Sequence, residues 1–364
     1  MHNCLEEHNF NAGPAALPTE VLETAQKELL NFNDTGMSVM ELSHRSTDYE
    51  EVHNEAITLV KDLLEVPEDY EVLLLQGGAS LQFSMIPMNF LEKGKTANYI
   101  LTGSWSEKAL KEAKYFGETK IGASSKDSNY KHIPALSDLD VSEEDAYVHI
   151  TSNNTIFGTQ WQDLNVPSEV PVIADMSSDI LSRPIPVDKF SLIYAGAQKN
   201  LGPSGVTLVI IKKDLLSNKK EDIPTLLRYT THAEKNSLYH TPPTFAIYML
   251  NQVLRWVKDN GGAAGMASRN KEKASLLYEV IDQSDGFYTG HADTNSRSLM
   301  NVTFNLPTDE LNKQFLDEAK KAGFIGLNGH RSVGGCRASI YNAVSLESVK
   351  ALQEFMISFR DKHQ

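Results

Sequence analysis

Two residues set the chemistry open to this chain, a lysine and an aspartate that each close an apolar run. In Ser191-Leu-Ile-Tyr-Ala-Gly-Ala-Gln-Lys199-Asn-Leu-Gly-Pro-Ser-Gly205, a strand-like segment passes into small residues, presents Lys199 and breaks at Gly202-Pro203. Upstream, Pro171-Val-Ile-Ala-Asp175 is a second apolar run, ending in a carboxylate. Taken singly, Lys199 is the sharper signal, with an anion-binding loop lysine as its alternative, while Asp175 alone reads as a helix cap or turn residue. Together, at the mouths of two strands, they suit pyridoxal phosphate. The amine can form a Schiff base with the aldehyde, and the carboxylate can keep a pyridine nitrogen protonated.

Other polar positions fall at similar places. Gln76-Gly-Gly-Ala-Ser80 lies between a strand and a helix, where glycines let backbone approach an anion and a helix N-terminus offers free N–H groups. It is neither a P-loop nor a Gly-x-Gly-x-x-Gly dinucleotide loop. Trp105 follows the next strand and offers a face for stacking on a flat ring. Thr155, in Asn153-Asn-Thr155, can donate to a ring substituent. Two His-Arg pairs, His44-Arg45 and His330-Arg331, sit in turn-rich loops with Arg337 close to the second. Arginine grips carboxylate and phosphate in a two-pronged fashion, so these loops point to a substrate with more than one anionic group.

The elements that must carry these residues alternate. Strands are expected near residues 71–75, 96–101, 120–123, 146–151, 170–174, 192–195 and 206–210, several with helical segments between them. That pattern argues for a mainly parallel sheet covered on both faces, with ligands where strands meet loops. Residues 222–239 read as a polar loop. Long helices follow over 244–260 and 264–283, then a C-terminal strand–helix–loop–strand–helix block that reads as a small α+β domain. The chain has 364 residues, a formal net charge of −14 and two cysteines, Cys4 and Cys336. The charge argues against broad binding to nucleic acid or an anionic membrane. The cysteine usage fits a reduced, cytoplasmic protein, and no ligand-spaced cluster calls for a metal. The N-terminal residues do not read as a signal peptide, and no apolar run is long enough to span a membrane.

Taken together, Phe10-Asn-Ala-Gly-Pro, Glu41-Leu-Ser-His-Arg-Ser, Leu75-Gln-Gly-Gly-Ala-Ser, Ala174-Asp-Met-Ser-Ser, Gly196-Ala-Gln-Lys-Asn-Leu-Gly-Pro-Ser-Gly, Thr241-Pro-Pro-Thr and Gly329-His-Arg-Ser-Val-Gly-Gly-Cys-Arg resemble the phosphoserine aminotransferase family, over essentially the whole chain. The resemblance implies an α/β pyridoxal-phosphate enzyme of fold type I, in the class-V aminotransferases, with a seven-stranded sheet. It implies a large cofactor domain over 16–262 and a small domain from 1–15 and 263–364. Lys199 would be the Schiff-base lysine, Asp175 the ring-nitrogen partner, Trp105 the stacking ring and Thr155 the contact to the phenolic oxygen. Ala79, Ser80 and Gln198 would bind the cofactor phosphate, joined in a homodimer with shared active sites by His240 and Thr241 of the other subunit. Relatives often carry Gly-Arg at 79–80 and Asn at 240; here backbone amides and the Ser80 hydroxyl must do more. Arg337 would grip the substrate α-carboxylate, and His44, Arg45, His330 and Arg331 the distal anion. The implied reaction is ping-pong transamination between glutamate and 3-phosphohydroxypyruvate, with 4-phosphohydroxy-L-threonine as a further candidate substrate. A serine–glyoxylate-type aminotransferase is the alternative.

Overall fold

The computed structural model describes residues 7–217, 220 and 222–364, so Cys4 lies outside the described residues. Its centre is a seven-stranded sheet built from β1 (Tyr70–Leu75), β2 (Thr96–Leu101), β3 (Thr119–Ser124), β4 (Asp145–Thr151), β5 (Val172–Asp175), β6 (Leu192–Gly196) and β7 (Thr207–Lys212). The spatial order is β1-β7-β6-β5-β4-β2-β3. All neighbours run parallel except β7, which is antiparallel to β1 and β6. The strand sequences are apolar throughout because both faces are covered. Along β6, Ile193 and Ala195 enter one core with Ile150, Ala174 and Leu208. Leu192 and Tyr194 enter the other with Tyr147, Ile173 and Val209.

Two helices on the second face matter most. α1 (Gly78–Phe90) begins as soon as β1 ends, and α2 (Ser104–Ala113) begins in the same way after β2. Gly77 caps α1 with φ of +96°, and a Cβ there would collide with the Leu81 side chain. Only glycine fits this left-handed, closely approached position, and it aims the first turn of α1 at the sheet edge.

A second core lies beyond the sheet. Strands Asn301–Asn305 and Cys336–Ser339 pair antiparallel, with Thr289–Gly290 on the edge. Helices Asp309–Lys321 and Leu346–His363 bury Phe315, Leu352 and Met356 against them, and Phe10 joins from the N-terminal segment. Helix Gly262–Asp282 connects the two cores, placing Met266 in the first and Leu277 in the second. Among the described residues no helix is long and apolar enough to cross a membrane.

The polar-loop reading of 222–239 needs correction. Tyr229–Glu234 forms a helix of 6 residues, too short to show a helical period in the sequence. Tyr229 is fully buried and stacks on Phe90 with centroids 5.4 Å apart. Cys336 opens a strand and points into the second core.

Lys273 is fully buried beneath the turn after the Arg337 strand. Its Nζ donates to Ile340 O at 2.9 Å, Tyr341 O at 2.7 Å and Val344 O at 3.0 Å. Burial, with Arg269 nearby, pulls its pKa down to about 7. Replacing Lys273 by Met strands three carbonyls and is expected to lower stability by about 3 kcal/mol. Equilibrium urea unfolding measures this, and a loss below about 1 kcal/mol would contradict the tripod as a stabilising contact.

Candidate active site

The parallel strands deliver their polar residues to one place. β5 and β6 end side by side, so Asp175 at the end of one and Lys199, just past the other, face the same cavity. The first turn of α1 supplies Gly78, Ala79 and Ser80 to its wall. Trp105 comes from the start of α2, Thr155 from the turn after β4, and Gln198 from the residue before the lysine. A crevice of about 620 Å³ beside Trp256, Arg269 and Glu272 is larger. It contains none of these groups, so size does not mark the site.

Lys199 Nζ donates to Thr155 Oγ1 at 2.7 Å and lies 5.7 Å from the centre of the Trp105 ring. Its pKa is drawn down to about 8, chiefly by loss of hydration. Asp175 and Asp179 pull it back up, and Arg337 pushes it further down. Such an amine is substantially neutral, hence nucleophilic, near neutral pH. Asp175 is buried, and burial raises its carboxyl above the usual range. Ser177 opposes that shift, its N–H and hydroxyl donating to Oδ1 at 2.9 and 2.6 Å, as does the charge of Lys199. A buried carboxylate in this state gains from a cation placed against it, and a protonated ring nitrogen is one.

The rest of the cavity suits the same group. The backbone N–H groups at the start of α1 are free to hold a phosphate. Trp105 presents its ring, and its Nε1 is buried with no hydrogen-bond partner. The residues present therefore fit pyridoxal phosphate. Arg337, on strand Cys336–Ser339, reaches the rim, where Nη1 donates to Thr155 O at 3.0 Å. Thr155 thus touches both Lys199 through its hydroxyl and Arg337 through its carbonyl.

The structure does not gather every expected residue into one chain's cavity. His330 and Arg331 lie in the loop before the Arg337 strand, and His330 is held below the usual histidine range by burial and then by Arg337, Arg331 and Lys108. His44 and Arg45 sit ahead of helix Thr47–Leu63 and are not among the residues lining the cavity. Nor are His240 and Thr241. The Gln76 amide donates to His240 Nε2 and to Thr241 O, each at 2.9 Å, which holds both beside the strand that leads into α1.

Two contributors were not singled out in the sequence. Lys108, three residues after Trp105 on α2, places Nζ 4.2 Å from the Trp105 ring centre. Its i, i+3 spacing from Trp105 was the available signal. Gly13 lies against Lys199; a Cβ there would sit 3.2 Å from its Cγ, at φ of +140°. Ala15 N donates to Gln198 O at 2.9 Å, so the N-terminal segment crosses directly over Lys199.

A mixed, mostly parallel sheet with a desolvated lysine, a buried aspartate, a phosphate cradle and a stacking indole at its edge defines a pyridoxal-phosphate enzyme of fold type I. Comparison with known proteins narrows this. The aminotransferase class-V family pattern matches residues 8–352. A phosphoserine aminotransferase of Halalkalibacterium halodurans is 67% identical over 98% of this chain and 99% of its own. The solved structure of the phosphoserine aminotransferase from Bacillus circulans subsp. alkalophilus superposes with a TM-score of 0.97 at 55% identity, covering 99% of both chains. The pyridoxal-phosphate-bound enzyme from Trichomonas vaginalis gives 0.91 at 40% identity, over 97% of this chain and 100% of that one. The chain belongs to the class-V aminotransferases and, within them, to the phosphoserine aminotransferases.

The depressed lysine has a measurable consequence. Below its pKa the amine is protonated and unreactive, and above it free to attack. Capture of pyridoxal phosphate by the apoprotein should therefore accelerate with pH, with a midpoint near 8 rather than at the ordinary lysine value of 10.5. Arg337→Met removes one lowering charge and should move the midpoint upward. Stopped-flow absorbance across pH 6.5–10.5 reads this out, and a midpoint at the ordinary value refutes the desolvated amine.

Proposed function

We propose that this cavity exchanges an amino group between L-glutamate and 3-phosphohydroxypyruvate, yielding 2-oxoglutarate and O-phospho-L-serine. The observation that carries the substrate assignment is the charge of the rim. Lys108, His330, Arg331 and Arg337 converge there, and no carboxylate acts on Arg337 or His330 among their principal charge neighbours. Such a cluster is costly without an anion and favours a ligand with two acidic ends.

Bound pyridoxal phosphate supplies the electron sink that makes the substrate Cα–H acidic. With the cofactor bound, the Lys199 amine would take the proton from the donor's Cα in one half-reaction and deliver a proton to the α-carbon of the keto acid in the other. Thr155, within 2.7 Å of that nitrogen, orients it. Asp175 would hold a proton on the ring nitrogen, Trp105 would cover the ring, and Ala79, Ser80 and Gln198 would hold the phosphate. Arg337 takes the α-carboxylate. His330, Arg331 and Lys108 take the distal phosphate in one half-reaction and the glutamate γ-carboxylate in the other, so the two substrates alternate in ping-pong order.

A second copy of the chain completes the site in this reading, with His44, Arg45, His240 and Thr241 reaching the partner's cavity. Their absence from their own chain's cavity lining supports it. Cysteine desulfurisation is disfavoured, because the Cys336 thiol is buried and pushed up to about 12.

Two experiments test this. With glutamate as donor, kcat/KM for 3-phosphohydroxypyruvate should exceed that for unphosphorylated hydroxypyruvate by about 100-fold or more, since the smaller acid leaves rim cations unpaired. Comparable values, or a preference for glyoxylate, would favour the serine–glyoxylate alternative. For the shared site, Lys199→Ala and Arg45→Ala chains are inactive alone. Mixed and reassembled, half of the dimers are hybrids with one intact site, so about a quarter of the native activity should return. No recovery would place Arg45 in its own chain's site.

A further inference from the structure

The face of the sheet beneath Asp175 carries polar groups that none of the roles above uses. Tyr194 on β6 is the register partner of Asp175 on β5. Both are buried, and their side chains emerge on the α1–α2 side of the sheet. The Asp175 carboxylate is the principal charge acting on the Tyr194 phenol. On its far side, the Tyr194 hydroxyl is 2.9 Å from His149 Nε2, a fully desolvated ring on β4. The remaining wall is aromatic. His149 stacks on Tyr99 with centroids 4.9 Å apart, and Phe83 meets Tyr194 edge-on at 6.3 Å. Tyr194 and His149 are buried from solvent, and the hydrogen-bonding capacities of the side chains themselves set where each proton lies.

The hydrogen-bonding capacities fix a direction. An ionised carboxylate only accepts hydrogen bonds, and a phenol has one proton to give. If Tyr194 gives that proton to its register neighbour Asp175, it cannot also donate to His149. The short contact to His149 then requires the imidazole to donate, with its proton on Nε2. That tautomer leaves Nδ1 as a bare lone pair, and Nδ1 is indeed the buried ring nitrogen without a partner. An unfilled acceptor is a milder defect than an orphaned N–H, so the one unsatisfied atom in the row lies where the cost is least. Burial keeps His149 neutral, its pKa lowered to about 3, and keeps the Tyr194 proton in place.

We propose that Tyr194, itself oriented by His149, is a positioning residue for Asp175. Its hydroxyl supplies a third donor to the carboxylate besides the two of Ser177, holding Asp175 as an anion turned to the cavity. The consequence is where a shared proton rests. A carboxylate fed by three donors holds a proton weakly, so a proton between Asp175 and the ring nitrogen stays on the nitrogen. The inference rests on the reading of Asp175 as the ring-nitrogen partner.

The test uses full-length holoprotein reconstituted with pyridoxal phosphate carrying ¹⁵N in the ring, observed by NMR at pH 8. Asp175→Asn examines the underlying reading: if the ¹⁵N shift matches that of the native protein, Asp175 is not the partner and both ideas fall. If Asp175→Asn shifts the signal, Tyr194→Phe decides the inference. The expected result is displacement of the ¹⁵N signal toward the neutral ring, a kcat lowered about tenfold with KM within about twofold, and cofactor affinity weaker by about tenfold, the range for one hydrogen bond to a charged group. His149→Leu should follow Tyr194→Phe, whereas His149→Gln, which keeps a donor at the Nε2 position, should restore the native shift. An unchanged ¹⁵N shift and kcat in Tyr194→Phe would make the row mere packing. Urea unfolding of each apoprotein checks folding. Should Tyr194→Phe fail to fold, the Gln/Leu pair at His149 decides the matter: equal ¹⁵N shifts in the two would overturn the proposal.

Discussion

The site depends on one electrostatic arrangement: an amine and a carboxylate held near each other with little water between or around them. In water either group would be fully ionised and inert toward this chemistry. Here loss of hydration acts on both in opposite senses, lowering Lys199 and raising Asp175, while their mutual attraction moderates each shift. The result is a lysine that can be a nucleophile and an aspartate that seeks a cationic partner. Parallel strand pairing produces it, because β5 and β6 end together at the same edge of the sheet.

Everything else either builds that edge or loads it. α1 begins at the edge because Gly77 permits a reversal that no residue with a side chain would tolerate, so its first turn lines the Lys199 cavity. The N-terminal segment crosses over Lys199 with Gly13 against the side chain, while Phe10 of the same segment anchors in the second core. Strand Cys336–Ser339 belongs to that second core, yet Arg337 reaches back to Thr155. Thr155 is therefore the junction at which Arg337 and the Lys199 amine meet.

The rim shows a different balance. Lys108, His330, Arg331 and Arg337 repel one another, and the acidity of the chain as a whole does not reach them. A net charge of −14 describes the outer surface, while the local field in a cleft is set by the few charges that line it. This is why an acidic protein can select a doubly anionic substrate.

Much of this was legible in the residues alone. Lys199 and Asp175 each close a short apolar run, a strand mouth is where ligands bind in such sheets, and the alternation of strands and helices called for a covered, mainly parallel sheet. Helix Tyr229–Glu234 escaped notice because it is shorter than the period that would reveal it. Lys108 looked like any solvated helix lysine until α2 was set beside the loop of His330. Tyr194 and His149 looked like ordinary strand residues. They lie 45 positions apart, and only the order β6-β5-β4 brings them into one row. The sequence by itself thus determined which chemical groups exist and that strand ends would present them, since residue type and apolar periodicity are local properties. Tertiary structure alone decided which of those groups lose their water, which proton faces which acceptor and which cations share a rim, because desolvation and hydrogen bonding depend on neighbours distant along the chain.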